Sequence, residues 1–140
     1  MITTPLRFFR PEEFRHPELV DDSCAQFLDR VRGLYGQPIT VTSDARMPEE
    51  EIAALADAPE ESSTNRDLLA QTAQSSLHIR GRAFDLRWPD HAEDRYGLVW
   101  AVMRQAFMYQ LALELEPVPS HLHVGIFPPG TPHGSRLIFR

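Results

Sequence analysis

The chain of 140 residues has the length of one ordinary domain, and its 42% hydrophobic and 24% charged residues are typical of a soluble globular protein. No apolar run approaches the roughly 20 residues of a membrane span, and the first ten residues lack the pattern of a signal peptide. The net charge is −6 and all 14 basic residues are arginines, so a basic surface for nucleic acid is not expected. The sequence predicts a single domain over residues 1–140, with neither nucleic acid nor a membrane as partner.

The first part of the chain predicts two helices. Pro11 followed by two glutamates is typical of a short helix start. A second helix is predicted to run from an N-cap at Asp22 or Ser23 to about Tyr35, with Gly36 as its stop. Its inner face is expected to consist of apolar residues at three- and four-residue spacing, including the lone cysteine, which has no disulfide or metal-binding partner: Cys24, Phe27, Leu28, Val31 and Leu34.

A strand and a long acidic excursion come next. Residues 38–43 are β-branched and alternating, which predicts a strand whose end delivers Arg46 to a loop. Residues 47–75 are rich in acidic residues, serine and threonine, with short helical pieces expected near 50–56 and 66–73. Such a long excursion is either functional, as a lid over a substrate, or a solvated surface loop, and the sequence leaves both interpretations open.

The second half predicts a small antiparallel sheet flanked by helices, and hence an α+β fold. Residues 78–87 indicate a turn and a strand, 110–116 and 121–127 a hairpin, and 137–139 a last edge strand. Residues 93–107 predict an amphipathic helix, which is expected to pack on the sheet through an apolar face that comprises Tyr96, Val99, Trp100, Met103 and Phe107.

Two histidines and one aspartate in the second half form a candidate metal site. Asp85 lies seven residues after His78, and His121 and His123 are two apart on a predicted strand, so their side chains share a face. Imidazole nitrogen and carboxylate oxygen are the ligands that a catalytic zinc prefers, three from the protein with the fourth position left to water. We predict that His78, Asp85 and one histidine of the pair His121 and His123 bind one zinc ion, with the other histidine beside them.

The residues around His78 resemble a known family. Ser76, His78, Gly81, Ala83 and Asp85 match, without a gap, the pattern Ser-x-His-x-x-Gly-x-Ala-x-Asp of the zinc peptidases of bacterial cell walls. This family includes D-alanyl-D-alanine carboxypeptidases and phage L-alanyl-D-glutamate endolysins, and hedgehog signalling domains share its fold. Further similar segments, which extend the resemblance over nearly the whole chain, are 9–14, 28–36 and 41–46.

The resemblance implies an activity and a role for each site residue. It implies a hedgehog or DD-peptidase-like fold and a zinc metallopeptidase, a hydrolase that cuts peptidoglycan stem peptides. The family's third zinc ligand, often the second histidine of a His-x-His, maps to His123. The family's arginine that binds the substrate carboxylate maps to Arg46, and a guanidinium offers a planar fork for an anion. Ser76 either helps to hold the substrate or the motif loop, or is a structural turn serine.

The chain departs from the family at one position, where Ser120 replaces the acid that acts as general base three residues before the last zinc histidine. Glu116, or Glu114, is then expected to carry the proton that amide cleavage requires, and His121 to stabilise the oxyanion. The alternative is a catalytically silent zinc-binding domain of the same fold, used in a virion or for cell-wall binding. The lack of a signal peptide favours a phage protein that is released from the host cytoplasm through a holin or carried by the virion.

Overall fold

The helices and strands follow the α+β order that the sequence predicts. The computed structural model describes residues 1–57, 76–130 and 136–137. The short helix at the start is a single 3-10 turn, Pro11–Glu13. The α-helices are α1 (Asp22–Tyr35), α2 (Pro48–Asp57) and α3 (Ala92–Met108). The strands are β1 (Val41–Ser43), β2 (Ala83–Arg87), β3 (Leu113–Pro117), β4 (His121–Ile126) and β5 (Arg136–Leu137). The second helical piece of the acidic excursion, 66–73, lies outside the described residues.

The strands form one sheet in the order β1-β2-β4-β3-β5. The first four are antiparallel, and β5 pairs parallel with β3. The predicted hairpin is confirmed, with Glu116 opposite His123. In the same register Asp85 lies opposite His123 from the other side, and Ser43 lies opposite Asp85. Because opposite residues share a face, Ser43, Asp85, His123 and Glu116 form one row across four strands.

The other face of the sheet is apolar and belongs to the core. Its side chains join those of α1 and of the buried side of α3 in one cluster, whose sheet members include Phe84, Leu86, Leu113, Leu115, Leu122 and Val124. Apolar and polar residues alternate along each strand. His121 and His123 therefore lie on the face of the sheet away from the core. Among the described residues, no helix is long and apolar enough to cross a bilayer.

Two expectations about the helices are wrong in detail. The N-cap of α1 is Asp21, one residue earlier than expected, because its side chain accepts a hydrogen bond from the backbone N–H of Cys24. Gly36 ends this helix in the left-handed region, as predicted, and Cys24 is fully buried. Leu34, placed on the inner face by its spacing, is 39% exposed, whereas its neighbour Tyr35 packs against the core.

The apolar face predicted for α3 is also wrong for every residue except Val99, which is partly buried and packs against the core. Tyr96, Trp100, Met103 and Phe107 are all more than half exposed. The buried side of the helix consists of smaller residues and one glutamine: Leu98, Ala101, Val102, Gln105 and Ala106. Small residues let α3 pack closely against α1, so the helix turns its larger apolar side chains outwards.

Candidate metal centre

His78, Asp85 and His123 come together as the sequence predicts. Asp85 Oδ1 lies 3.4 Å from His78 Nε2 and 3.1 Å from His123 Nδ1. One potential ligand atom from each of the three residues lies within 4.8 Å of the other two, so this group could hold a metal ion. His78 and Asp85 are buried, and the side chain of His123 is 15% exposed. The site is therefore largely screened from water while one of its ligands stays accessible.

The turn that carries His78 depends on Gly81. Gly81 has a φ of 68°, and a Cβ at this position would lie 2.1 Å from the backbone oxygen of Leu19. The backbone N–H of Gly81 donates to the carbonyl of His78, and its own carbonyl accepts from the N–H of Asp21. Only glycine satisfies both the left-handed backbone and this close approach. The glycine of the sequence pattern thus fixes the turn between the first ligand and β2.

Backbone and side-chain partners orient both histidines for metal binding. His78 Nδ1 lies 2.7 Å from the carbonyl oxygen of Asp44, which can only accept, so Nδ1 donates to this oxygen and Nε2 is the nitrogen that faces Asp85. In His123 the roles of the two nitrogens are reversed. Nδ1 faces Asp85, and Nε2 lies 3.2 Å from Glu114 Oε1. A metal-binding histidine commonly donates its second N–H to a carbonyl or carboxylate, and both histidines have such a partner.

A glycine on β4 makes room for Leu77 beside His123 and Glu114. Gly125 lies opposite Glu114 in the hairpin. A Cβ on Gly125 would lie 2.6 Å from a methyl carbon of Leu77, and within 3.5 Å of both Glu114 Cβ and His123 Nε2. The missing side chain therefore leaves room for Leu77 next to Glu114 and the His123 ring.

Arg46 reaches the same carboxylate from the end of β1. Its guanidinium donates to Asp85 Oδ2 at 2.8 Å, to Glu51 Oε2 at 2.8 Å and to Ser43 Oγ at 2.9 Å. Arg46 thus holds Asp85 by one oxygen, and the other oxygen faces the histidines. Glu51 is 4% exposed and was placed in an acidic, solvated stretch by the sequence. Only the packing of α2 against the site reveals its contact with Arg46.

The charges in the site shift two pKa values. Asp85 is buried, which would raise the pKa of its carboxyl, but the hydrogen bonds and charges of His123 and His78 hold this pKa far below its usual range. Burial would lower the pKa of His123, but its hydrogen bonds to Asp85 and Glu114 raise it to about 9. The carboxylates of Asp85 and Glu114 thus favour a positive charge between them, which a bound cation also supplies.

The remaining site residues lie around this group. His121 Nε2 is 3.5 Å from Asp85 Oδ1, and its Nδ1 is hydrogen-bonded to Ser120 Oγ at 2.8 Å. Its side chain is 31% exposed, so His121 lies at the rim. Glu116 stands opposite His123 on the same face of the sheet. Ser76 accepts a hydrogen bond from the backbone N–H of His78 through its hydroxyl, a contact that holds the motif loop.

Comparisons of the chain with protein-family models, with curated proteins and with solved structures found no match. The chemistry of the site therefore carries the functional argument.

Proposed function

We propose that the protein is a zinc-dependent peptidase of the hedgehog and DD-peptidase-like fold, which hydrolyses peptide bonds in peptidoglycan stem peptides. The observation that carries the proposal is the group formed by His78, Asp85 and His123, with each imidazole oriented by a partner on its second nitrogen. A merely structural ion pair does not require this orientation, whereas a metal site does.

The donor set fits zinc. Two imidazole nitrogens and one carboxylate oxygen are three protein ligands, which is the number found in catalytic zinc sites, while structural sites are usually closed by four. A zinc ion held by His78, Asp85 and His123 would lower the pKa of water to about 7 and polarise the carbonyl of the bond to be cut. Arg46 keeps Asp85 aligned for this task through its hydrogen bond to Oδ2.

The residues beside the metal ligands supply the proton and hold the substrate. Glu116 shares the site face of the sheet with His123, and we assign to it the transfer of a proton to the leaving nitrogen. His121, at the rim, would donate a hydrogen bond to the oxyanion from Nε2, with Ser120 on its Nδ1. Arg46 would bind the substrate carboxylate in addition to Asp85, and Ser76 would keep the motif loop in place.

Defined stem peptides test the proposal. The purified protein, loaded with zinc, is incubated with a panel of such peptides with and without a chelator, and products are identified by mass spectrometry. We expect chelator-sensitive cleavage of one amide bond next to a D-amino acid. Cleavage that survives complete removal of zinc would contradict the assignment of the metal.

A second candidate function rests on Ser120. This serine occupies the position of the family's acidic base and is hydrogen-bonded to His121, which suits a silent zinc-binding domain that recognises cell walls without cutting them. Glu116→Gln separates the two candidates. A peptidase loses at least about 100-fold in kcat and keeps its zinc, because general acid–base catalysis typically contributes that much. Zinc binding at one ion per chain without turnover on any peptide would favour the silent domain.

A further inference from the structure

One helix of the protein presents a row of large apolar side chains to solvent. Tyr96, Trp100, Met103 and Phe107 of α3 are 78%, 56%, 51% and 81% exposed, and we call these four residues the α3 stripe. Single exposed apolar side chains are ordinary on protein surfaces, but a contiguous group of this size marks an interaction site.

The α3 stripe lies on the side of the helix away from the core. At 100° per residue its four members fall within an arc of about 60°, centred roughly opposite the buried Leu98, Val102 and Gln105. The helix is thus apolar on two opposite sides. The side with Leu98 and Val102 is covered by α1 and the rest of the core, and the side with the α3 stripe is exposed. A helix with two apolar sides is normally covered on both, because exposed apolar area is unfavourable in water.

The spacing of the α3 stripe is symmetric. The steps between its members are four, three and four residues, so the row reads the same from either end, about a midpoint between Ala101 and Val102. Two such helices related by a twofold axis and running antiparallel would place Tyr96 of each copy opposite Phe107 of the other. Trp100 would lie opposite Met103. Aromatic pairs and thioether contacts with aromatic rings are both favourable.

We infer that the chain forms a twofold-symmetric dimer in which the α3 helices pack antiparallel through the α3 stripe. A symmetric interface of this kind uses one patch twice and needs a self-complementary surface, which the palindromic spacing provides. The inference does not depend on the proposed function, because none of the four residues belongs to the metal site.

The exposed area is sufficient for such a dimer. If each of the four side chains is given about 200 Å², a value typical of buried aromatic residues, these exposed fractions give about 500 Å² per copy and about 1,000 Å² for the pair, which is the area that a weak specific interface must reach. A lipid surface suits the helix less well. Binding to anionic headgroups needs an excess of basic residues, whereas on α3 Arg95 and Arg104 are balanced by Glu93 and Asp94.

Sedimentation of the zinc-loaded, full-length protein over about 1 µM to about 1 mM tests the dimer. We expect a concentration-dependent dimer for the wild type, and a self-association weakened by about 30-fold or more in Trp100→Glu, the loss typical of a central interface residue. The matched control is Met108→Glu, since Met108 is 57% exposed on the same helix but turned about 110° away from the centre of the stripe. The control should dimerise like the wild type. At a concentration low enough to keep all three proteins monomeric, circular dichroism should show equal melting, because dimerisation itself stabilises the folded state.

A charge pair tests the antiparallel orientation. Tyr96→Glu and Phe107→Arg should each weaken the dimer, and the double variant should restore it, because each new carboxylate would face a new guanidinium of the other copy. A parallel arrangement would set like charges together and give no rescue. A wild type that stays monomeric throughout the range, with or without vesicle binding, would overturn the inference, as would a dimer equally tight in Trp100→Glu.

Discussion

At the scale of single residues, the carboxylate of Asp85 is the point where the charges of the site meet. Three imidazole nitrogens, from His78, His121 and His123, lie within 3.1 to 3.5 Å of its Oδ1, and Arg46 donates to its Oδ2. A buried carboxylate needs such partners, because an unpaired charge in the interior is costly. When these nitrogens are deprotonated, they can offer lone pairs to a metal ion on the same side of Oδ1.

Glu114 and Glu116 should affect the site in different ways. Glu114→Ala removes the carboxylate that accepts from His123 Nε2 and should weaken zinc binding by about 10- to 100-fold, the usual effect of losing such a partner. Glu116→Gln is the matched control on the same strand face and should leave zinc affinity within about threefold of the wild type. Titration against a chromophoric chelator measures both. An unchanged affinity in Glu114→Ala would show that Glu114 does not orient His123.

At the scale of elements, the start of α1 is tied to the turn that carries the first metal ligand. Asp21 caps α1 through the N–H of Cys24, and its carboxylate lies 3.0 Å from the guanidinium of Arg82. Its backbone N–H donates to the carbonyl of Gly81. Arg82 in turn donates to the carbonyl oxygen of Ile126 at the end of β4. One aspartate thus joins the helix, the turn after His78 and the strand that carries His123.

The stability that Asp21 supplies should depend on pH. Burial would raise the pKa of Asp21, but hydrogen bonds from Ser23 and Cys24 and the charge of Arg82 hold it below the usual 3.8. A carboxyl with a lowered pKa in the folded state stabilises the fold above the unfolded-state pKa, and this contribution is lost as pH falls through the folded-state pKa. The wild type should therefore exceed Asp21→Asn in urea stability at neutral pH. The difference should shrink as the pH falls below the usual pKa of 3.8 and vanish below the lowered folded-state pKa.

Asp21→Ala provides the control for that comparison. Asparagine retains an oxygen that caps the helix, whereas alanine loses the cap at a cost of about 1 kcal/mol that does not titrate. The gap between the two variants should stay constant from neutral to acidic pH. A difference between the wild type and Asp21→Asn that persists unchanged in acid would show that the charge of Asp21 contributes nothing.

Local patterns in the sequence are sufficient to predict most of these elements. The alternation of Leu113 and Leu115 with glutamates predicts β3 and which of its residues face the core. The spacing around His78 and Asp85 predicts that these two residues belong to one site, and the structure brings both together with His123. Contacts between distant segments are not visible in such patterns. The Asp44 carbonyl on His78 and the Glu51 contact of Arg46 arise only when β1 and α2 pack beside β2.

The error in α3 has a similar cause. Periodicity identifies an apolar side of a helix but does not say whether that side faces the chain's own core. In α3 the small residues Ala101 and Ala106 take the inner position, and the stripe with Trp100 is left outside. Side-chain size in the space beside α1, rather than hydrophobicity alone, decides which side is buried.

At the scale of the whole molecule, the sheet separates the stability of the fold from the chemistry of the site. Its apolar face belongs to the core with α1 and α3, and its polar face carries the row from Ser43 to Glu116. The three residues of the candidate metal group come from the turn before β2, from β2 and from β4, so a bound ion would link these segments on the polar face only. Because the core lies on the opposite face, we expect the metal-free protein to fold.

Zinc should raise the melting temperature of this folded protein. An ion that binds only the folded state adds about 2.7 kcal/mol at a free concentration 100 times its dissociation constant, which corresponds to about 10 °C for a domain of this size. His78→Ala and His123→Ala should lose this gain and melt at one temperature with zinc or chelator, since each removes one of only three ligands. His91→Ala is the control, because His91 precedes α3 without a side-chain capping bond and should leave the zinc effect intact. Equal zinc stabilisation in His78→Ala and the wild type would place the ion elsewhere, whereas unfolding on chelation alone would show that the core does depend on the metal.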